Sequence, residues 1–327
     1  MKTSKTVMLC FVAALLFAVL AGCGAKKEKV LIYTSSEDFK IENMTKRLNE
    51  KFPNYEITIE YMPTGNHAAK LLAEGLNTEC DITHDLEYGY LAQLDNAGYL
   101  ADLSDFDKSR YTDDVNLSDN YIIELRNSGS IILNTDVLRD RNLPVPSSYD
   151  DLLNSVYKGL ISMPNPRSSG TGYMFLKSLV NAWGEEKAFV YFDQLNENIL
   201  QYTSSGSGPC KSLIMGEVAI GLGMTAQAVN EINKGAPLQI VSFEEGLPYT
   251  LYGQAIINGK EQRKAVKEVF EYLVNKYNYE NNELFFPEKI YKDRDYSVEN
   301  YPQNIKYSDM RNDSIEEKDR LLKKWKY

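Results

Sequence analysis

Short strand-like runs alternating with helical periods constrain this chain more than any other feature. Val30 to Tyr33 is an apolar run followed by turn residues, and Ile41, Met44, Leu48 and Phe52 then recur at helical spacing. Residues 55–62 alternate apolar and polar side chains, as a half-buried strand does. Asn66 to Gly75 reads as a short helix stopped by glycine, Asp81 to Thr83 as a strand, and Glu87 to Ala97 as a helix ended by Gly98. This β-α-β-α-β-α order predicts an α/β fold with mainly parallel sheet flanked by helices.

The alternation resumes after a break. Strands are expected at Ser130 to Leu133, Leu160 to Met163, Val218 to Leu222, Leu238 to Phe243 and Ala255 to Ile257. Helices are expected at Tyr149 to Tyr157, from Ser169 or Thr171 to Trp183, and at Glu185 to Glu197. Further helices are expected at Thr225 to Lys234, Lys260 to Tyr277 and Ile315 to Trp325. The last of these is acidic at its start and basic at its end, which suits the helix dipole.

Ligands of open α/β sheets bind beyond the carboxyl ends of the strands, so the residues just after each strand are the informative ones. Ser35 and Ser36 follow the first strand, Thr64 the second, and His84 with Asp85 the third. The strongest internal motif is Pro164 to Gly172, where Ser169, Gly170 and Thr171 lie between a strand and a long helix. Hydroxyls and close-approaching backbone at a helix start can hold phosphate, phosphonate or carboxylate without a full cation. Each such turn can equally be a capped helix start and nothing more. It is not a Walker loop, since no Gly-Lys-Ser/Thr follows. Thr203 to Pro209 is a second hydroxyl- and glycine-rich turn carrying Ser207, and Glu245 follows a later strand.

The N-terminus carries a targeting pattern. Lys2 and Lys5 precede an uncharged apolar stretch from Val7 to Leu20, which is the layout of a secretory signal peptide. It ends in Leu20, Ala21, Gly22 and Cys23, which resembles the lipobox of bacterial lipoproteins. The resemblance implies a signal peptide over residues 1–22, diacylglycerol on the Cys23 sulfur and a tether over 23–29. Two acyl chains hold a protein stably on a bilayer. Removing residues 1–22 takes away two lysines and no acid, so the formal charge moves from −10 to −12. That excess of acid excludes a nucleic-acid binder. Cys80 and Cys210 remain; no CxxC pattern surrounds them, and free buried thiols are expected. Cys210, near a helix start, has room for a lowered thiol pKa.

The segment Ile161 to Pro166 with Ser169 to Tyr173 resembles a signature of the iron(III)/phosphonate/sugar-phosphate-type solute-binding proteins of ABC importers. The opening Leu31 to Ser35, the run Gly216 to Gly221 and the turn Glu245 to Pro248 resemble that family too. The resemblance implies the two-lobed type II periplasmic-binding-protein fold, with a ligand between the lobes and a two-strand hinge. The lobes would be 30–127 with 250–327, and 128–249. It implies a monomer that binds a small molecule and hands it to permease subunits with a cytoplasmic ATPase. Carried over, Ser35, Ser36, Thr64, Ser169, Gly170, Thr171 and Ser207 would be anion or polar contacts, while His84, Asp85 and Glu245 would read the rest of the ligand. The location implied is the outer face of the cytoplasmic membrane, at a Gram-positive cell surface or in a periplasm.

Ferric binders of this family carry paired tyrosines where this chain has Met224 and Thr225. A ferric site wants anionic oxygens such as phenolates. The departure favours a sugar phosphate or phosphonate over iron, with no metal or cofactor. Polyamine or thiamine on the same fold is an alternative, with Glu37, Asp85 and Glu245 pairing amines. An enzyme is not expected: a surface hydrolase would need Ser207 and His84 to meet, and neither a GxSxG elbow nor HExxH is present.

Overall fold

The structure is a computed structural model and describes residues 27–115 and 117–327. The strands are β1 (Glu28–Thr34), β2 (Tyr55–Tyr61), β3 (Ile82–Glu87), β4 (Ile122–Asn134), β5 (Ile161–Pro164), β6 (Ile199–Thr203), β7 (Ile220–Met224), β8 (Leu238–Val241) and β9 (Tyr249–Ile256). The helices are α1 (Asp38–Lys51), α2 (Thr64–Glu74), α3 (Tyr88–Asn96), α4 (Thr135–Asp140), α5 (Gly170–Trp183), α6 (Glu185–Leu195), α7 (Gly208–Ile214), α8 (Thr225–Asn233), α9 (Lys264–Tyr272), α10 (Asn278–Leu284) and α11 (Ile315–Lys324).

The strands hydrogen-bond in the order β2-β1-β3-β9-β4-β7-β5-β6, with β8 on β4. Pairs β1–β2, β1–β3, β5–β6 and β5–β7 are parallel, as the β-α-β pattern requires. Pairs involving β4 or β9 are antiparallel, so the sheet is mixed rather than mainly parallel. The crossing strands cause this. β4 is buried along all 13 residues. Its first half pairs with β9 from Ile122 to Ser128, and its second half pairs with β7 from Gly129 to Leu133. β2, at the edge, keeps Ile57 and Ile59 half-buried while Glu56, Thr58 and Glu60 face water, which protects an open edge.

Two main cores flank this crossing. One gathers Ile32, Leu48, Leu86, Leu91, Val266 and Phe270 among others. The other gathers Ile131, Ile161, Phe175, Leu179, Phe192 and Ile220. Leu321 and Trp325 of the C-terminal segment belong to this second core. Trp325 packs edge-on against Phe192 at 5.3 Å and Tyr202 at 5.7 Å. The tail therefore rests on the 128–249 unit, although its position after β9 groups it with the first.

Two helices differ from expectation. Residues 149–157 form two short 3₁₀ turns, Asp150–Leu153 and Ser155–Tyr157. The Asn198 side-chain amide donates to the Leu152 and Asn154 carbonyls at 2.8 and 2.9 Å, holding the backbone in this turned form rather than in a continuing helix. The helix expected from Lys260 begins at Lys264, because Gly259 holds φ at 89° and the Glu261 carboxylate accepts its amide at 2.7 Å.

Candidate ligand-binding site

Four chain turns that leave strands meet around one narrow cleft. The β1–α1 turn brings Ser35, Ser36 and Glu37, the β2–α2 turn brings Tyr61, Pro63 and Thr64, and β3 brings Asp85. From the second unit, the α5 entry brings Ser169, Gly170 and Thr171, and the β6–α7 turn brings Ser205, Gly206 and Ser207. The crossing strands and the segment after α10 complete the wall with Asn127, Tyr252 and Phe286, and Met224 ends β7.

Local chemistry explains the α5 entry. Asn165 accepts the amides of Ser168 and Ser169 at 3.1 and 2.9 Å through its carbonyl, folding the chain back. Ser169 then caps the helix, its Oγ accepting the Gly172 amide at 3.4 Å. Gly170 and Thr171 are first-turn residues whose amides have no carbonyl one turn back inside the helix. α1 and α2 also begin at the cavity, with Thr64 as the first residue of α2. No lysine or arginine side chain is among the lining residues. The donors that a ligand would meet there are therefore helix-start amides and hydroxyls.

Gly206 lets the two turns of the second unit touch. A Cβ there would lie 2.2 Å from Thr171 Oγ1 and 2.9 Å from Met224 Sδ.

The chain's two histidines hold the two serines from behind. His67 Nδ1 lies 2.9 Å from Ser35 Oγ, and its Nε2 lies 3.0 Å from Thr83 Oγ1. His84 Nδ1 lies 3.1 Å from Thr34 Oγ1 and 3.4 Å from Ser36 Oγ. Both rings are fully buried, and burial pushes each down to about 3, so both are neutral. His84 thus stands one layer behind the cavity rather than on its wall, because β3 points it into the core. It makes no pair with Ser207, which lines the opposite wall.

Asp85 does reach the wall. Its φ of 53° is left-handed, at a register shift between Thr83 and Leu86 where β3 meets β9. Such backbone in a non-glycine residue is uncommon and clusters at binding sites. Asp85 accepts Ser36 Oγ at 2.7 Å and Lys40 Nζ at 2.9 Å. Burial opposes its charge, but the Lys40 ammonium and the Ser36 hydroxyl outweigh it and hold its pKa below the usual carboxylate range. Lys40, fully buried, also donates to Glu124 Oε1 at 2.8 Å. Burial pushes Glu37 and Glu124 up to about 8 each, with Asp85 adding to both shifts. Glu37 Oε2 and Asn127 Oδ1 are buried without a protein partner. Buried polar atoms at a cavity wall have hydrogen-bonding capacity that a bound solute or water can use.

Ser35, Ser36, Thr64, Asp85, Ser169, Gly170, Thr171 and Ser207 are thus brought together. Glu245 is not: its carboxylate accepts the Trp183 indole at 3.1 Å, away from the cavity. Cys23 lies outside the described residues. Tyr61, Asn127, Ser205, Met224, Tyr252 and Phe286 line the cavity without having been singled out as contacts, and Glu37 lines it after being expected only as a partner for amines. Tyr61, next to a strand end, and Ser205, inside the hydroxyl-rich turn at 203–209, carried a sequence signal.

Cys80 and Cys210 are free and buried, and burial raises the Cys210 thiol rather than lowering it. Among the described residues no group of three or more His, Cys, Asp or Glu side chains is arranged to hold a metal. Met224 faces the cavity while Thr225 is fully buried against the Ser128 hydroxyl at 2.9 Å, so neither offers a phenolate. Among the described residues no helix is long and apolar enough to cross a membrane.

Two α/β cores joined by crossing strands, with a polar cavity fed from both, define a two-lobed binding protein of the type II periplasmic kind. The chain belongs to the bacterial extracellular solute-binding proteins, whose family model matches residues 82–313. These are solute-binding members of the ABC-importer superfamily rather than a catalytic class. The chain is similar to AfuA from Actinobacillus pleuropneumoniae, a periplasmic binding protein solved with exogenous fructose-6-phosphate bound, at 26% identity and a TM-score of 0.78; the match covers 92% of this chain and 98% of that one. A periplasmic thiamin binding protein at 16% identity and TM-score 0.75, covering 92% of this chain and 96% of its own, shares the fold. An uncharacterized Haemophilus influenzae protein is 28% identical over 292 residues, which is 84% of this chain and 82% of that protein.

Proposed function

We propose that this protein captures a small anionic organic solute, a sugar phosphate or phosphonate in class, and delivers it to an ABC importer. The observation that carries this reading is a cavity on which hydroxyls and helix starts converge from both lobes. Ser35, Ser36, Thr64, Ser169, Gly170, Thr171 and Ser207 would hold the anionic group, while Asp85 would take a ligand hydroxyl. The bound fructose-6-phosphate of AfuA supports the same class.

Contacts made to both lobes stabilise the closed form, because only differential affinity shifts a conformational equilibrium. The closed form would then dock on permease subunits served by a cytoplasmic ATPase. Lipid on Cys23 would keep the protein at the outer face of the membrane, working as a monomer. Ser169→Asp with Thr171→Asp is the test. Like charge at the α5 entry should abolish binding of a hexose 6-phosphate in calorimetry while circular dichroism is unchanged. Unchanged affinity would reject the site.

A further inference from the structure

We propose that Glu37 is a specificity-determining residue of this cavity, which stays a neutral carboxylic acid in the complex and donates a hydrogen bond to an oxygen of the incoming anion. The inference rests on the anion reading above and adds to it a proton taken up with the solute.

The geometry carries it. Glu37 directly follows the two serines of the β1–α1 turn and stands at the N-cap of α1, yet its side chain makes no capping bond. It is 7% exposed, lines the cavity, and leaves Oε2 without a partner in the protein. A buried carboxyl oxygen on a residue of the cavity wall asks for a hydrogen-bond partner.

The neighbours decide which form of Glu37 supplies it. Asp85 faces it from β3, Glu124 from β4 and Lys40 from its own helix, and the phenols of Tyr252 and Tyr61 lie nearby on β9 and β2. Lys40 is the one cation of this set, and it is already engaged by Asp85 at 2.9 Å and Glu124 at 2.8 Å. An ionised Glu37 would sit beside the Asp85 carboxylate and an anionic solute with no cation of its own. A neutral Glu37 removes that repulsion and turns the same oxygen pair into an O–H donor. Burial first, and Asp85 second, push its pKa up to about 8 before any ligand arrives. An anion in the cavity raises it further, so binding draws one proton from solvent onto the carboxyl.

The sign of the pH dependence follows. Affinity is fully present while Glu37 is protonated and falls as pH rises through about 8. A phosphate ester completes its second ionisation near pH ~6, so its charge is constant above about pH 7.5. The test is calorimetry of residues 24–327 with a hexose 6-phosphate between pH 7.5 and 9.5, in buffers of different ionisation enthalpy, with inorganic phosphate, which itself still titrates in the lower part of this range, as a second probe of binding alone. The dissociation constant should rise roughly tenfold from pH 8 to 9.5 as the competent fraction shrinks. Most of one proton should be taken up per bound anion near pH 8.5, and Glu37→Gln should abolish both the slope and the uptake. In the parent protein, a carboxylic C=O infrared band gained on binding reports the same event without depending on how the variant folds.

Binding with no pH slope, or a slope that persists in Glu37→Gln, would overturn the assignment of the proton to Glu37. Affinity that rises with pH would mean that Glu37 acts as a carboxylate toward a ligand ammonium, and would overturn it too. Failure of both probes to bind at every pH would remove the anion reading itself, a result distinct from binding without proton uptake.

Discussion

The amide of Gly65 donates to the carbonyl of Ser168 at 3.2 Å, joining the entry of α2 to the entry of α5 across the cavity. A Cβ on Gly65 would lie 2.7 Å from the Arg167 carbonyl. The exposed Lys211–Asp38 pair at 2.8 Å spans the same gap but adds little, as solvated pairs do. Gly65 is therefore a position at which an added side chain would oppose closure. Gly65→Val should weaken ligand affinity on the order of tenfold, about 1.4 kcal/mol, while leaving the ligand-free melting temperature near its parent value. Calorimetry and X-ray scattering check this, and scattering should show a more extended ligand-bound form.

Gly206 is the corresponding point within the second lobe. Gly206→Val would push a branched side chain against Thr171 and Met224 and into the cavity. We expect loss of binding by more than a hundredfold with secondary structure intact by circular dichroism. Retained affinity would show that the β6–α7 turn does not face the solute.

Thermal stability should have a broad optimum in mildly acidic solution. The native state keeps His67 and His84 neutral with pKa values of about 3, whereas they gain protons below 6.5 when unfolded, so their contribution is lost as pH falls from 6.5 toward 3. Glu37 and Glu124 keep protons up to about 8, whereas unfolded glutamate releases them near 4.5, so that contribution is lost as pH rises from 4.5 toward 8. The two slopes cancel between 4.5 and 6.5. The melting temperature should be level there, fall toward pH 8, and fall less steeply in Glu124→Gln. Scanning calorimetry across this range measures it.

The strand-end turns were legible because they are local. Ser35, Thr64, Ser169 and Ser207 each sit within a few residues of an apolar run, and the structure gathers all of them. Asn127 and Tyr252 were not legible, since they reach the cavity on β4 and β9, whose antiparallel pairing joins residues more than 100 positions apart. His84 follows the same strand-end rule as Asp85, but the bulge in β3 turns only Asp85 outward. Glu245 looked available in a loop, and Trp183, distant in sequence, claims it. The 3₁₀ turns at residues 150–157 likewise depend on Asn198, which no local pattern announces.

The C-terminal helix ties the lobes together through Lys318. Its ammonium pairs with Glu87 at the end of β3 and lies 4.1 Å from the Tyr90 ring centre and 4.6 Å from that of Tyr173. Both partners are nearly inaccessible to solvent. Lys318→Ala should cost roughly 3–5 kcal/mol by stranding the Glu87 carboxylate. Lys318→Met with Glu87→Gln should recover a large part of it. Urea titration of the two variants separates the stranded charge from lost packing.

The most direct test of the whole account is a thermal-shift panel on residues 24–327. It would hold hexose phosphates, phosphonates, phosphate, polyamines, thiamine and ferric citrate. A ligand at a thousand times its dissociation constant adds about 4 kcal/mol, easily seen as a raised melting temperature. A rise is expected with at least one phosphorylated or phosphonated compound and none with amines or ferric ion. A rise confined to amines or ferric ion would contradict the proposed function.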